Sequence, residues 1–210
     1  MKITFPSFHF VIAALFPLLL PHLAMSQDAI PLEKAQEGAR LLAQTAGSIK
    51  DAGVSVDADS EKPYAIKVGG SVGFLVVPDR TLTAEKLTSV SEKVTPIAYL
   101  WTTTEASISV NGHAASSDTL RPYTLKTKDN ELNVRLYLVG AVKNDKGQAE
   151  VVVYGQGKEP LVRVPLEKSS SGSKEMPIEL TGRKNDENSG TLTLLLPGKY
   201  QADIVLVKSE

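Results

Sequence analysis

The side chains that most often carry enzyme chemistry are scarce in this sequence. The chain has 210 residues, with three histidines and no cysteine. His9 and His22 fall in a segment that we predict to be a cleaved leader, so His113 is the single histidine expected in the mature protein. This excludes sites that need two imidazoles, or an imidazole and a thiolate, which covers most zinc sites and Cys–His nucleophiles. We therefore predict no metal and no cofactor.

One serine lies in a pattern that hydrolases use. Gly69-Gly70-Ser71-Val72-Gly73 matches G-x-S-x-G, in which a strand enters and a helix leaves, holding the serine on a strained turn. Here an apolar strand follows, and a hairpin turn explains the same glycines. The remaining candidate base, His113, has only Asp118 near it in sequence. We predict no catalytic residue and no enzymatic activity, with a carboxylate-based hydrolase such as a glycosidase as the alternative.

An acidic run could hold a cation. Asp57, Asp59 and Glu61 space three carboxylates two residues apart, and oxygen ligands suit Ca²⁺. The run lacks the Gly and Glu that an EF-hand loop requires at its sixth and twelfth positions. A solvated acidic turn is the favoured interpretation, and a weak calcium site is the alternative. The same holds for the Asn185–Asn188 turn.

Three residues of a central hairpin form the candidate binding surface. Tyr137 and Tyr154 are expected on the face opposite the leucines and valines of this hairpin, with Arg135 nearby. If that face is exposed, it is an aromatic patch suited to binding, and if a second layer covers it, it is core. We predict Tyr137, Tyr154 and Arg135 as binding residues. Trp101 is expected in the core or at a domain interface, with stacking on a sugar as the alternative.

The N-terminal segment resembles a secretory signal peptide. Lys2 supplies a positive start, Phe8–Leu20 is an apolar stretch, and small residues precede a cleavage site after Ser26. An uncleaved membrane anchor is the alternative, and it is less favoured because the apolar stretch is shorter than the roughly 20 residues that span a bilayer. We therefore predict export to the periplasm or the extracellular medium, without a membrane span after cleavage.

Composition restricts the partners. The formal net charge of −1 argues against a nucleic-acid binder, which needs a basic surface. An exported chain without cysteine favours a bacterial envelope over a eukaryotic secretory route, in which small domains depend on disulfides.

Residues 27–104 mix helical and strand patterns. Pro31 and an Ala-rich stripe from Leu32 predict a helix that ends at a Gly47 cap. Val54–Val56 predicts a short strand, and Thr83 predicts the cap of a second helix. Further strands are expected at Tyr64–Val68 and Val72–Val77, joined by Gly69-Gly70, and at Ile97–Trp101. The strand–helix–strand order from Val72 to Trp101 predicts a parallel pair with a right-handed crossover.

Residues 105–210 are almost entirely strand-like. Asn111-Gly112 is a strong hairpin signal, and the hairpin from Glu131 to Gly155 supplies long alternating strands. Pro122 and Pro165 favour edge strands. Pro197-Gly198 fits the central positions of a type II turn. Seven or eight short strands with frequent turns are typical of an immunoglobulin-like β-sandwich.

Together these patterns predict an α+β protein. A leader at 1–26 precedes a small α+β domain at 27–104, with two helices on a short sheet, and an immunoglobulin-like antiparallel β-sandwich domain at 105–210. The two regions share an interface or one continuous core. The predicted function is an exported, non-enzymatic binding or assembly module of the bacterial envelope. Its favoured partner is a protein, and the alternatives are a hydrolase or a carbohydrate- or calcium-binding structural domain.

Overall fold

The computed structural model describes residues 27–46, 49, 52–68, 72–126, 131–170, 172–173 and 175–209. Three predicted features lie outside the described residues: the leader Met1–Ser26, the Gly47 helix cap and the Gly69-Gly70 turn.

The described residues are mostly strand. The elements, in chain order, are β1 (Gln27–Ala29), α1 (Leu32–Ala46), β2 (Tyr64–Val68), β3 (Val72–Pro78), α2 (Ala84–Thr88), β4 (Thr95–Thr103), β5 (Ala106–Val110), β6 (His113–Ala114), a 3₁₀ turn (Ser117–Thr119), β7 (Arg121–Lys126), β8 (Glu131–Lys143), β9 (Ala149–Tyr154), β10 (Pro160–Pro165), β11 (Glu167–Lys168), β12 (Glu179–Lys184), β13 (Ser189–Leu196) and β14 (Tyr200–Lys208).

The strands form two sheets. The central sheet has the order β1-β2-β3-β4-β8-β9-β10, and the outer sheet has the order β12-β13-β14-β5-β6, with β11 also paired to β14. Strand β8 is long enough for β7 and β9 to share one of its edges. Strand β7 pairs with residues 131–136 and β9 with residues 138–143, while β4 occupies the opposite edge. All of these strand pairings are antiparallel.

The central sheet is buried on both faces. One face packs on the outer sheet through residues such as Ile97, Tyr137 and Ile204. The other face packs under α1 and the loop around residues 52–58, through residues such as Leu42 and Leu136. Strands of a middle layer need apolar side chains on both faces, which explains the unbroken apolar runs in β3, β4 and β8.

The predicted parallel pairing of β3 with β4 is wrong. The two strands are antiparallel, with Phe74 opposite Thr102 and Pro78 opposite Ala98. Helix α2 has five residues, so it advances about 7.5 Å at 1.5 Å per residue. A crossover to a parallel neighbour must carry the chain back along the whole strand, which takes a dozen or more residues. The short helix leaves the chain at the same end of the sheet, and β4 returns antiparallel.

The helix stripe is confirmed in part, one helix cap is confirmed, and one predicted strand is wrong. Ala35, Ala39 and Leu42 of α1 are buried, whereas Leu32, at the start of the predicted stripe, is 46% exposed. The hydroxyl of Thr83 accepts the Lys86 N–H at 3.3 Å, as expected of an N-cap. Residues 54–56 form no strand; they lie in a loop that makes isolated bridges at Ala52 and Ala58 and buries Val54 and Val56.

Two predicted turns lie among the described residues. Asn111 and Gly112 both have positive φ, 53° and 87°, so the hairpin between β5 and β6 forms where predicted. At the β13–β14 turn, Gly198 has the positive φ, 73°, that a type II turn requires at its second central residue. Lys199 adds a second positive φ, 61°, and Leu196 pairs with Tyr200, so three residues, 197–199, connect the two strands.

The architecture is an antiparallel β-sandwich with few helices. Strands from both sides of residue 104 share the central sheet, because β4 pairs with β8, and both regions contribute to the core between the sheets. The limits 27–104 and 105–210 therefore remain a prediction about independently folding units. At one side the Gln27 amide joins the sheets: it donates to the Leu180 carbonyl at 3.1 Å and accepts the Gly182 N–H at 2.7 Å. Among the described residues, no helix has the length and apolar character to cross a membrane.

Candidate functional site

The two tyrosines of the predicted binding surface are buried on opposite faces of the central sheet. Tyr137 is 0% exposed and faces the outer sheet, whereas Tyr154 is 3% exposed and faces the α1 side. The pairing of Leu138 with Tyr154 places those two side chains on one face and Tyr137 on the other. The prediction that both tyrosines share a face is therefore wrong, and they form no exposed aromatic patch.

Arg135, the third predicted residue, lies at a half-buried position on β8. Its Nη1 donates to the Ala106 carbonyl at 3.0 Å and to Ser209 Oγ at 2.7 Å, which links the central sheet to the outer sheet. Among the ion pairs of the described residues, none includes Arg135. A half-buried charge without a counter-ion lowers the stability of the fold, so packing alone does not explain an arginine at this position.

Arg135 lines a cavity of about 390 Å³ at the end of the sandwich, which we call the arginine pocket. Most of its lining residues are serines and alanines, and they come from β5, β6, β8, the 3₁₀ turn with its flanking residues, and the residue after β14. They are Ser107, His113, Ala114, Ala115, Ser116, Ser117, Leu120, Arg135 and Ser209.

Local turns build the rim of the pocket. The Asn111-Gly112 turn folds β6 back on β5, pairing Val110 with His113 and placing the imidazole at the exposed rim. The 3₁₀ turn is closed by Thr119, whose N–H and hydroxyl both donate to the Ser116 carbonyl, at 2.9 and 2.6 Å. Its position is fixed from outside, because the Gln156 N–H donates to the Thr119 carbonyl at 2.6 Å.

Three hydroxyls behind the pocket lack hydrogen bonds. Thr102 Oγ1, Ser107 Oγ and the Tyr137 hydroxyl are buried and have no partner in hydrogen-bond geometry among the described residues. Burial raises the pKa of the Tyr137 phenol, and the nearby Ser107, Arg135 and Thr102 oppose that rise. The three groups are thus close together but poorly aligned. Since buried polar groups in proteins are normally paired, this end of the core carries unused hydrogen-bonding capacity.

The polar groups of the arginine pocket are mainly hydrogen-bond donors. No carboxylate is among the described residues that line it, and Asp118 lies outside this lining. Its polar lining instead consists of a guanidinium, an imidazole and serine hydroxyls. Such groups donate hydrogen bonds to an anionic group.

The acidic run is an ion-pair network. Arg80 contacts Asp57 Oδ2 at 3.6 Å and Asp59 Oδ1 at 3.8 Å, and its Nη2 donates to the Ala58 carbonyl at 3.3 Å. Glu61 pairs instead with Arg40, at 2.8 Å. Of the described residues, no three His, Cys, Asp or Glu side chains are grouped so that they could hold a metal ion.

Asp79 completes this region, which we call the acidic corner (Asp57, Asp59, Asp79 and Arg80). Its carboxylate is buried and accepts the Asp57 N–H at 2.9 Å, the Thr81 N–H at 2.9 Å and the Thr81 hydroxyl at 2.5 Å. These bonds tie the loop before β2 to the loop after β3. The carboxylates of the acidic corner therefore stabilise the fold.

In the Asn185–Asn188 turn, the acidic side chain serves a local purpose. Asp186 accepts the Ser189 hydroxyl at 2.6 Å and the Asn188 N–H at 2.8 Å, and these bonds lower the pKa of its carboxyl. The turn borders a second cavity of about 370 Å³ between the ends of β2–β3 and β12–β14, which has mainly apolar walls.

A third cavity, of about 190 Å³, lies between α1 and the central sheet. Trp101 lines it but is 2% exposed, and its ring meets the Tyr123 ring edge to face at 5.3 Å between centroids. The indole is thus part of the core, as expected from the apolar run around it.

Ser71 lies outside the described residues. The strands on either side of it, β2 and β3, pair antiparallel, with Val68 opposite Val72. A strand follows the motif where a nucleophile elbow requires a helix.

Sequence reasoning missed Ser107 and Ser209. Ser107 lies in the short strand β5 and Ser209 follows β14, and no spacing rule relates them to Arg135, since Ser209 is 74 positions away. Arg135 was identified, but as a neighbour of an aromatic patch. Comparison with models of protein families, with curated proteins and with solved structures found no match.

Proposed function

We propose that this protein is an exported, non-enzymatic binding or assembly module of the bacterial envelope, which binds a protein partner through the arginine pocket. The observation that carries the proposal is Arg135, a cation in a cavity with no counter-ion among the described residues. A partner that brings an acidic group to this cavity would compensate the charge.

The finer fold and the location are part of the same proposal. We infer an immunoglobulin-like type of sandwich from the succession of short antiparallel strands in residues 105–210, and export from the leader-like Met1–Ser26. In sandwiches of this type the loops cluster at the ends, where they are free to form binding sites. The arginine pocket lies at such an end.

The two buried carboxylates support a binding role over hydrolysis. A glycosidase needs two carboxyl groups facing each other across a cleft. Asp59 and Asp79 instead accept backbone N–H groups of their own and neighbouring loops and line none of the three cavities. Glu105, Asp186 and Glu187 do line the second cavity, where Asp186 is bonded within its own turn.

Site-specific photo-crosslinking in the native host tests the proposal. A photo-reactive phenylalanine analogue replaces Ser117 at the exposed pocket rim or, as a matched control, Lys146 in the exposed turn after β8. Position 146 is eleven residues from Arg135 along the chain and beyond the far end of β8. We expect a discrete protein adduct from position 117 and none from position 146.

Mass spectrometry of that adduct identifies the partner. The intact mass of the uncrosslinked protein also reports whether the chain is cleaved after Ser26. If neither position gives an adduct, or both give the same one equally, the pocket is not the contact surface and the proposal fails.

A further inference from the structure

We propose that the arginine pocket recognises a carboxylate of its partner, held by the free edge of the Arg135 guanidinium and by Ser107. This deepens the proposed function and rests on it for the identity of the partner as a protein. Four features of the pocket support it: the orientation of the guanidinium, the second hydrogen-bond donor, the charge of the lining and the chemistry of the walls.

The guanidinium is oriented by one nitrogen only. An arginine has five N–H donors, two of them on Nη1. The Nη1 of Arg135 makes both hydrogen bonds recorded for this side chain, to the Ala106 carbonyl and to Ser209 Oγ. This leaves Nε and Nη2 without a partner among the described residues. These two nitrogens form one edge of the plane, and their parallel N–H groups match the two oxygens of a carboxylate.

Ser107 supplies an independent second donor. Its side chain lines the pocket, the residue is only 1% exposed, and its Oγ has no hydrogen-bond partner among the described residues. A buried hydroxyl that lacks a partner reduces the free energy of unfolding. If this position served the fold alone, an alanine would be more stable here than the serine. A ligand oxygen would satisfy this hydroxyl.

The charge of the lining favours a monoanion. Apart from the imidazole of His113, Arg135 is the one ionisable side chain among the described residues that line the pocket. One guanidinium balances the single charge of a carboxylate. A phosphate carries close to two charges at neutral pH and is better served by several cations.

The walls favour a peptide over a sugar acid. Ala114, Ala115 and Leu120 supply small apolar surface, and none of the described lining residues carries an aromatic ring on which a sugar could stack, apart from the imidazole of His113. A carboxylate on a chain terminus or on an acidic side chain fits this lining. Both sources share the same chemistry, and the probes below separate them.

Calorimetric titration of the purified protein tests the inference. The probes are an acetylated peptide of small residues with a free C-terminal carboxylate, the same peptide amidated, an amidated peptide with one internal glutamate, glucuronate and inorganic phosphate. We expect saturable binding of a carboxylate peptide, weakened about tenfold or more by removing its carboxylate, which corresponds to the loss of one charge-assisted pair. The free-terminus and glutamate peptides report which source the pocket prefers.

Two variants and two controls locate the binding. Arg135→Lys keeps the charge but loses the planar edge, and Ser107→Ala loses one hydroxyl; each should weaken peptide binding about tenfold. Ser107→Ala should leave the melting temperature unchanged or raised, which separates a ligand role from a structural one. Thr102→Val removes a buried unpaired hydroxyl outside the pocket lining, and Arg80→Lys alters an arginine already bound to aspartates. Both should bind like the original protein.

The outcomes are distinct. Three results would overturn the inference: no saturable binding of any carboxylate peptide, tighter binding of phosphate or glucuronate, or peptide binding by the Arg135→Lys and Ser107→Ala variants that is as tight as that of the original protein. A protein adduct at position 117 that persists in those variants would leave the proposed function standing while this inference fails. Loss of that adduct in both variants would support the two together.

Discussion

The acidic corner and the arginine pocket each contain an arginine among polar groups, but the two arginines are used differently. At the acidic corner, Arg80 reaches Asp57, Asp59 and the Ala58 carbonyl through three different nitrogens. In the pocket, Arg135 uses a single nitrogen, for a carbonyl and a serine. The acidic corner is satisfied by the chain itself, whereas the pocket has donors left over. Unused donors therefore indicate a binding site better than a high density of charge does.

The largest effect is expected from a substitution that removes hydrogen bonds at the acidic corner. Asp79→Asn keeps the shape of the side chain but replaces one accepting oxygen with a donor, so at least one of the Asp57 and Thr81 groups loses its bond. Hydrogen bonds to a charged acceptor contribute about 1.5–3 kcal/mol each, so we expect the free energy of unfolding to fall by about 3 kcal/mol. Urea denaturation followed by circular dichroism measures it.

The matched control for this prediction is Asp57→Asn. Its side chain is 72% exposed and meets Arg80 at 3.6 Å, so an effect below about 1 kcal/mol is expected. Carboxylate binding should be unchanged in both variants. Equal destabilisation by the two changes would mean that the buried acceptor is not what holds the acidic corner together.

Local patterns in the sequence predicted single elements well. The β8–β9 hairpin and the Asn111-Gly112 turn depend on neighbouring residues, and both formed as predicted. The pairing of strands that are distant in the chain was harder to predict from the sequence. Val151, Val152 and Val153 are apolar in succession because both faces of β9 are covered, so their pattern could not say on which side Tyr154 would lie.

The site was harder to predict because it is assembled across the fold. The Ala106 carbonyl and the Ser209 hydroxyl that orient Arg135 are 29 and 74 positions away from it in the chain. A serine carries no signal of burial or of an unmade hydrogen bond, so Ser107 became a candidate only when its surroundings were known. The acidic run stands out in the sequence because its carboxylates lie close together along the chain. The sequence did not reveal that two of them pair with Arg80, which comes from a separate loop.

A smaller effect is expected from a substitution that displaces a wall of the arginine pocket. A Cβ on Gly155 would lie 2.0 Å from the Thr119 carbonyl oxygen and 3.0 Å from Leu161, so Gly155→Ala must displace the 3₁₀ turn that carries Ser117. Overpacking of this kind costs about 1–3 kcal/mol, and we expect a loss near 2 kcal/mol together with weaker peptide binding. Thermal unfolding and calorimetric titration measure the two effects.

Gly38→Ala is the control for this steric argument. A Cβ there would meet only Leu75, at 3.9 Å, and alanine is favoured over glycine within a helix by up to about 1 kcal/mol. We therefore expect a slight gain in stability and unchanged binding. If Gly155→Ala were as stable as Gly38→Ala and bound peptide normally, the 3₁₀ turn would not be a fixed wall of the pocket.

The smallest expected effect at neutral pH concerns Tyr137. Tyr137→Phe removes a buried hydroxyl that has no hydrogen-bond partner among the described residues, so the free energy of unfolding at pH 7 should change by less than about 1 kcal/mol. The effect should grow in alkali. Burial raises the pKa of this phenol in the folded state, so above pH ~10 the unfolded chain releases the proton first and stability falls as pH rises.

Replacing Tyr137 with phenylalanine removes its share of that loss, so the variant should gain stability relative to the original protein between about pH 10 and 11. Tyr200 provides a control of opposite sign. The Thr88 hydroxyl and Lys168 lower its pKa, so the stabilisation by its ionised form is present at high pH and is lost as pH falls. Tyr200→Phe should therefore be less stable, relative to the original protein, in alkali than at neutral pH. Urea titrations across this range measure both differences. If the stability of Tyr137→Phe ran parallel to that of the original protein at every pH, the Tyr137 phenol would have to reach solvent, and the unpaired hydroxyls behind the arginine pocket would not be a closed part of the core.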